Sequence, residues 1–239
     1  MKNLSLIFVV GLLLVGCANE ERGGSSSMVR IAKKARQSGN SEAAISFYNK
    51  AIAMEPNNSE AYLGLAESYL DMKLLDAAAE YIKKAENAGG KLARAAYLRG
   101  KIFLLSGDNC AAEKEFRKSI SLADSMNALG AVLDGRGEHA KAQEMYKKVI
   151  AKDPDYIDAY NNMGLSMILD GRYKDAVFYL ENACSLPSVG VTHRSNLAIA
   201  YGLSGDVDKA RETYAHDFEG DELEEKLAYL EDVIAAKSQ

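Results

Sequence analysis

Turn residues recur along this chain at a nearly constant spacing, and that spacing restricts the fold more than any other feature. Six turn residues, five glycines and one lysine, each stand between two amphipathic stretches. They are Gly39, Lys73, Gly107, Gly137, Gly171 and Gly205. The successive spacings are therefore 34, 34, 30, 34 and 34 residues. A glycine just past a helix end supplies the left-handed backbone of a tight turn, so the period predicts six helical hairpins.

Side-chain size repeats at fixed offsets from each turn. Alanine stands five residues after every turn, at Ala44, Ala78, Ala112, Ala142, Ala176 and Ala210. A large apolar residue stands nine after it, at Tyr48, Ile82, Phe116, Tyr146, Leu180 and Tyr214. A small residue stands seven before it, at Ala32, Ala66, Gly100, Gly130, Gly164 and Ala198. Small residues let two helix backbones approach and large ones fill the groove beside them, which predicts antiparallel helix pairs.

This pattern resembles the tetratricopeptide repeat, a helix–turn–helix unit of 34 residues. The resemblance covers roughly residues 25–218 and implies an all-α solenoid, with six repeats that we place at residues 28–218. We expect residues 219–239 to form a capping helix and tail, because Asp221 and Glu224 resemble a capping box and solenoid ends need a cover. The single 30-residue spacing predicts a shortened link or helix between the third and fourth hairpins.

The first residues have the pattern of an export signal. Lys2 precedes an apolar run over residues 4–15 that is too short to span a bilayer comfortably. Gly16 and Cys17 at its end resemble a bacterial lipobox, which implies cleavage before Cys17 and its lipidation. We therefore predict a signal peptide over residues 1–16 and a lipidated, flexible glycine- and serine-rich tether over residues 17–27. An ordinary signal peptide or an uncleaved anchor is the alternative.

The residue after the lipobox cysteine bears on the membrane that receives the lipid. In enteric bacteria, Asp at that position retains a lipoprotein in the inner membrane. Here the residue is Ala18, which favours the periplasmic face of the outer membrane where the same rule holds. We expect the membrane to be a partner only through the lipid on Cys17.

The sequence predicts neither catalysis nor a cofactor. His139, His193 and His216 lack metal-ligand spacing, so we expect no metal site, and His139 is interpreted as an exposed surface residue. Phosphate-binding loops and nucleophile motifs are missing from the sequence, so we expect no enzyme and no small-molecule substrate. Cys110 and Cys184 are interpreted as small hydrophobes, with a disulfide as the alternative. A net charge of −5 argues against nucleic acid as a partner.

The first helices of such hairpins line an open groove, which predicts a protein partner. The candidate groove residues are Glu67, Arg94, Tyr97, Lys101, Asn127, Asn161, Asn162, Ser195 and Asn196. Asparagines at matched repeat positions can hydrogen-bond an extended peptide backbone. Alternatively, they satisfy helix ends or cap loops. The groove carries charges of both signs, which argues against a basic clamp for a C-terminal carboxylate and favours a specific protein partner.

Two C-terminal segments carry a closer resemblance. The first comprises residues 161–165 and 169–176, and the second comprises residues 194–205 followed by residues 227–230 in the last helix. Together with the lipobox, these segments are similar to the TadD family of Tad-system Flp pilus assembly lipoproteins. That resemblance implies an outer-membrane helper whose partner is a secretin or another pilus-assembly subunit. The alternatives are type IV pilus biogenesis, another envelope task such as outer-membrane protein insertion or cell-wall synthesis, and a receptor or enzyme regulator.

Overall fold

A computed structural model describes the backbone of residues 17–237 and the side chains of residues 24–236. The predicted signal peptide lies outside the described residues. Within them the structure is entirely helical, a solenoid of helical hairpins as predicted. The helices are α1 (Cys17–Gln37), α2 (Ser41–Met54), α3 (Ser59–Asp71), α4 (Leu75–Asn87), α5 (Leu92–Leu105), α6 (Asn109–Lys118), α7 (Ala123–Asp134), α8 (His139–Lys152), α9 (Ile157–Leu169), α10 (Tyr173–Ser185), α11 (Val191–Ser204), α12 (Val207–Ala215) and α13 (Gly220–Lys237). None of these helices is long and apolar enough to cross a membrane.

The chain divides into two compact units, Met1–Ser119 and Ile120–Gln239. Unit 1 contains three hairpins, α1 with α2, α3 with α4, and α5 with α6. Unit 2 contains the hairpins α7 with α8, α9 with α10, and α11 with α12, followed by α13. Helix α6 has 10 residues, whereas α2 and α4 have 14 and 13. The 30-residue spacing therefore arises from a shortened helix, one of the two forms predicted, and the boundary between the units falls directly after it.

The six predicted turn residues all have the left-handed backbone that their positions require. Their φ angles range from 59° at Lys73 to 98° at Gly205, and Lys73 is the one non-glycine with positive φ among the described residues. At the α7–α8 turn, the Gly137 N–H donates to the Asp134 carbonyl at 2.9 Å and the Glu138 N–H to the Leu133 carbonyl at 3.0 Å. The other five turns repeat this pair of bonds, which satisfies the last carbonyls of each first helix.

Size complementarity joins the two helices of each hairpin. All six alanines five residues after the turns are 0% exposed, and the large residues nine after them are at most 2% exposed. A Cβ atom at Gly130 would lie 2.4 Å from Tyr146 Cε1, and one at Gly100 would lie 2.4 Å from Phe116 Cε1. The glycines are therefore sterically required, because the aromatic ring occupies the space that any side chain would need.

Helix α13 covers the last hairpin, as predicted for a cap. Leu227 and Leu230 are buried in one cluster with Ala198, Ala210 and Tyr214. This cluster supplies the apolar cover that the final hairpin of a solenoid needs.

The first helix begins earlier than the sequence analysis predicted. Helix α1 starts at Cys17, and Ser25 within it is buried. The Ser25 hydroxyl donates to the Ala51 carbonyl at 3.2 Å and accepts from Asn58 Nδ2 at 2.8 Å. The backbone is therefore helical through residues 17–27, where a flexible tether was predicted, and the small residues Gly24 and Ser25 pack against Met54 and Ala51 of α2.

Replacing Lys73 with glycine should stabilise the protein. The φ of Lys73 is 59°, and a left-handed conformation costs a residue with a Cβ about 1–2 kcal/mol, from which glycine's larger entropy loss on folding subtracts part. We expect Lys73→Gly to raise the free energy of unfolding by about 0.5–1 kcal/mol in urea denaturation. Lys83→Gly, at an exposed site inside α4, is the matched control and should lower it by about 1 kcal/mol. A Lys73→Gly variant no more stable than wild type would contradict this account of the turn.

Adding one methyl group at Gly130 should destabilise unit 2. The new Cβ would overlap the Tyr146 ring, and such overpacking costs about 1–3 kcal/mol. Gly135→Ala is the control, because a Cβ there meets its nearest atom at 3.6 Å and Gly135 has helical backbone angles. Thermal unfolding of both variants checks the prediction, which fails if Gly130→Ala unfolds at or above the temperature of Gly135→Ala.

Candidate protein-binding surfaces

In unit 1, the first helices of the three hairpins are joined by a chain of ion pairs. Three cations and three carboxylates from α1, α3 and α5 alternate along it. The pairs are Lys33 with Glu60 at 2.6 Å, Glu60 with Arg94 at 3.4 Å, Arg94 with Glu67 at 2.5 Å, Glu67 with Arg36 at 3.0 Å, and Arg36 with Asp71 at 3.1 Å. We call these six residues the ion-pair chain. Its opposite charges balance within unit 1, so it forms no basic or acidic patch.

Glu67 is the centre of the ion-pair chain. It is 7% exposed, and both Arg94 Nε and Arg94 Nη2 donate to its Oε1. Burial opposes ionisation of Glu60, but Lys33 and Arg94 outweigh burial and lower the pKa of Glu60. Burial together with the nearby Glu67 carboxylate raises the pKa of the Tyr48 hydroxyl to about 12. The structure thus brings the predicted groove residues Glu67 and Arg94 together, with each other as partners.

The other two predicted groove residues of unit 1 lie together on α5. The Tyr97 ring packs against Phe116 with 6.1 Å between centroids. Lys101 Nζ lies 5.9 Å from the centre of the Tyr97 ring. Both side chains are half-buried, so Tyr97 stabilises its hairpin while Lys101 keeps its charged end near the ring.

In unit 2, the corresponding helices are joined by side-chain amides instead of charges. Asn196 Nδ2 donates to Asn161 Oδ1 at 2.8 Å, and Asn162 Nδ2 donates to Asn127 Oδ1 at 3.1 Å. Asn161 Nδ2 completes the row by donating to Asn162 Oδ1 at 3.3 Å. We call these four residues the amide chain. It runs across α7, α9 and α11, and its members bond to one another rather than to helix ends or loops.

The amide chain keeps hydrogen-bonding capacity at both ends. Each asparagine amide offers two N–H donors and one carbonyl acceptor with two lone pairs. The bonds of this row use Asn127 Oδ1 and Asn196 Nδ2, which leaves Asn127 Nδ2 and Asn196 Oδ1 outside the row, and both side chains are half-buried. Ser195 lies beside Asn196 and is half-buried. The first-helix face of unit 2 therefore presents a donor end, an acceptor end and a hydroxyl to a partner.

Two polar clusters of unit 2 were not predicted from the sequence. The Asp134 carboxylate accepts from Ser166 Oγ at 2.7 Å and from the Tyr146 hydroxyl at 2.9 Å, and it contacts His139 Nδ1 at 2.8 Å. The interpretation of His139 as an exposed surface residue is therefore wrong, since its side chain is 22% exposed and bonded across the turn. Burial, together with Asp134, raises the pKa of Tyr146 far above its usual value.

The second cluster fastens the start of α11 to the segment after α12. Arg194 Nε and Nη2 donate to the two Asp217 oxygens at 2.6 and 2.5 Å. This paired bond holds the pKa of Asp217 below its usual value. The sequence does contain one sign of this second cluster. Asp217 stands twelve residues after its turn, a position at which earlier repeats have the buried apolar residues Ala51, Ala85, Val149 and Ala183.

The described residues were also searched for a metal site and for a disulfide bond. Residues 24–236 contain no group of three or more His, Cys, Asp or Glu side chains placed to hold a metal ion. Cys110 is exposed and Cys184 is half-buried, and both are free thiols rather than a disulfide.

Comparison with known families and structures agrees with this architecture. Models of the tetratricopeptide repeat match residues 35–102, 122–152, 145–178 and 191–216. A search of curated proteins finds no match.

Several solved structures share the fold. PilW, described as a widely conserved type IV pilus biogenesis factor, is 18% identical, with a TM-score of 0.70 over 85% of this chain and 98% of its own. PilF of Pseudomonas aeruginosa is 16% identical, with a TM-score of 0.68 over 88% of this chain and 99% of its own. A chain in the structure of the APC/C Cut9–Hcn1 hetero-tetramer is 15% identical, with a TM-score of 0.72 over 89% of this chain and 44% of its own.

These similarities at low identity concern the fold alone. The repeat matches extend through both units, and their hairpins carry the left-handed turns and buried alanines that the 34-residue period predicts. The chain therefore belongs to the tetratricopeptide repeat family.

Proposed function

We propose that this protein is a lipid-anchored scaffold that binds an extended segment of a partner protein and thereby assists assembly of a pilus or secretion machine. The observation that carries the binding function is the amide chain of unit 2, with its donor end at Asn127 and its acceptor end at Asn196. Repeats of this family commonly bind protein segments along their first helices, and the candidate groove residues Asn127, Asn161, Asn162, Ser195 and Asn196 all lie on those helices.

The chemistry of the amide chain suits a peptide backbone. An extended backbone offers N–H donors and carbonyl acceptors in alternation, and amide side chains can bond to both. Such bonds do not depend on the partner's side chains, so they support binding of an extended segment with little demand on its sequence. In unit 1, by contrast, Glu67 and Arg94 are already paired with each other.

Three observations support a role in pilus assembly at the outer membrane. PilW and PilF share the fold over nearly their whole length. The sequence in front of Cys17 resembles a lipobox, and Ala18 favours sorting to the outer membrane. The segments at residues 161–176 and 194–205 resemble the Flp pilus assembly lipoproteins of Tad systems. Anchored by Cys17 on the periplasmic side, the protein would hold a secretin or another pilus subunit near the membrane.

Type IV pilus biogenesis is the second candidate function, because PilW, which shares the fold of this chain, is described as a type IV pilus biogenesis factor. The partner's identity separates the candidates. Affinity purification through a C-terminal tag, after crosslinking in cells, should recover a Tad secretin or Flp subunit under the first and a type IV pilus component under the second. Recovery of cell-wall synthases or of the outer-membrane insertion machinery would contradict both.

Removing the donor end of the amide chain should weaken partner binding. Asn127→Ala deletes both amide N–H groups and the acceptor of Asn162 Nδ2. One lost hydrogen bond costs about 0.5–1.5 kcal/mol, so we expect about a two- to tenfold loss of affinity for the recovered partner in a binding titration.

The matched control is Asn182→Ala. Asn182 lies on α10, where its amide bonds to the Phe178 carbonyl of the same helix, so its loss should leave affinity unchanged. Thermal unfolding of both variants separates lost contacts from lost folding. Equal affinities of folded Asn127→Ala and wild type would overturn the assignment of the amide chain as the binding site.

A further inference from the structure

One edge of unit 1 is formed by the starts of its first helices and the end of α2. Ser25 in α1 bonds to Asn58, which caps α3. Gly90, just before α5, lies against Ser59, since a Cβ there would be 3.4 Å from the Ser59 Cβ. These contacts place the starts of α3 and α5 level with Ser25. We call the edge that carries Met54, Lys91 and Leu92 the helix-start edge.

The helix-start edge exposes apolar side chains beside one basic residue, Lys91, and one acidic residue, Glu55. Leu92 is 72% exposed and Met54 is 57% exposed. Lys91, directly before Leu92, is also exposed. Large apolar side chains beside a basic one suit the boundary between lipid headgroups and acyl chains, where the lysine meets anionic headgroups.

Helix α1 runs from this edge to the predicted lipid attachment site. Cys17 stands eight residues before Ser25 in the same helix, so its backbone lies only about 12 Å beyond the edge. The opposite edge, at Leu105 in α5, lies about 20 Å farther away, since α5 rises 1.5 Å per residue over thirteen steps. Leu105 is 51% exposed, so exposed apolar surface alone does not distinguish the two edges. The two edges are distinguished by the direction of α1, which leads from the helix-start edge to Cys17.

We infer that the helix-start edge of unit 1 faces the lipid surface that holds the acyl chains of Cys17. This inference rests on the lipid anchoring in the proposed function. Along α1 the helix-start edge lies nearer to Cys17 than the edge at Leu105 does, so an anchor at Cys17 places the helix-start edge nearer to the headgroups. Leu92, Met54 and Lys91 then lie at the membrane side of unit 1, and the turns at Lys73 and Gly107 lie away from it.

The absence of tryptophan from the sequence makes the test direct. Leu92→Trp and Leu105→Trp each introduce one reporter, at matched exposed leucines of the same helix. The full-length lipidated protein would be purified from membranes and reconstituted in phosphatidylethanolamine and phosphatidylglycerol vesicles that contain a dansyl-labelled headgroup lipid. We expect energy transfer to dansyl to be at least about twofold greater from Leu92→Trp, because the reporters differ by about 20 Å in height.

The fluorescence result tests the orientation of unit 1, and mass spectrometry tests the lipid anchor. Greater transfer from Leu92→Trp supports the inferred orientation. Equal transfer from the two reporters, or greater transfer from Leu105→Trp, overturns it. Mass spectrometry of the same sample reads the anchor independently, and a Cys17 peptide without acyl groups overturns the anchoring and this inference together. Partner recovery through the C-terminal tag tests the binding function apart from both, so the failures are distinguishable.

Discussion

The contact between a small residue on one helix and a large residue on the next is the constraint on which the described structure depends. Where Gly130 faces Tyr146, the ring fills the space in which a side chain would stand. That contact sets how closely the two helices approach, and the left-handed turn at Gly137 sets their direction. Repetition of the same pair in each hairpin buries the inner faces. The polar groups on the first-helix faces are consequently left to pair with one another or with a partner.

The two units pair the polar groups of their first-helix faces with different side chains. Unit 1 uses charged side chains, and Glu67 accepts from Arg94 while facing Arg36. A buried carboxylate between two guanidinium groups is costly to separate from them, so these charges mainly hold neighbouring hairpins in register. Unit 2 uses neutral amides, which bond in a row and still retain donors and acceptors at the ends, Asn127 and Asn196. We propose unit 2 as the binding unit because the two ends of its amide chain, Asn127 Nδ2 and Asn196 Oδ1, lie outside the bonds of the row.

The fold could be predicted from the sequence because its steric requirements repeat at fixed offsets. The candidate site was harder to predict because its contacts depend on side-chain conformation. Each turn needs a left-handed residue and each helix crossing needs an alanine, so both recur at fixed offsets. The bonds from Glu67 to Arg36 and Arg94 join residues 31 and 27 positions apart, and offsets alone do not show which charges meet. The glycine and serine content of residues 17–27 predicted a tether, but the packing of Ser25 on Ala51 and Asn58 outweighs local preference. His139 was misjudged for the same reason, since Asp134 reaches it across the turn.

Site-specific photocrosslinking in cells tests the central claim, that a pilus or secretion subunit binds on the first-helix face of unit 2. A photoreactive residue at Ser195, in α11 beside Asn196, would be compared with one at exposed Glu212, in the second helix of the same hairpin. The account predicts that Ser195 captures a secretin or another pilus-assembly subunit and that Glu212 captures none. Capture of such a subunit from Glu212 but not from Ser195 would contradict it.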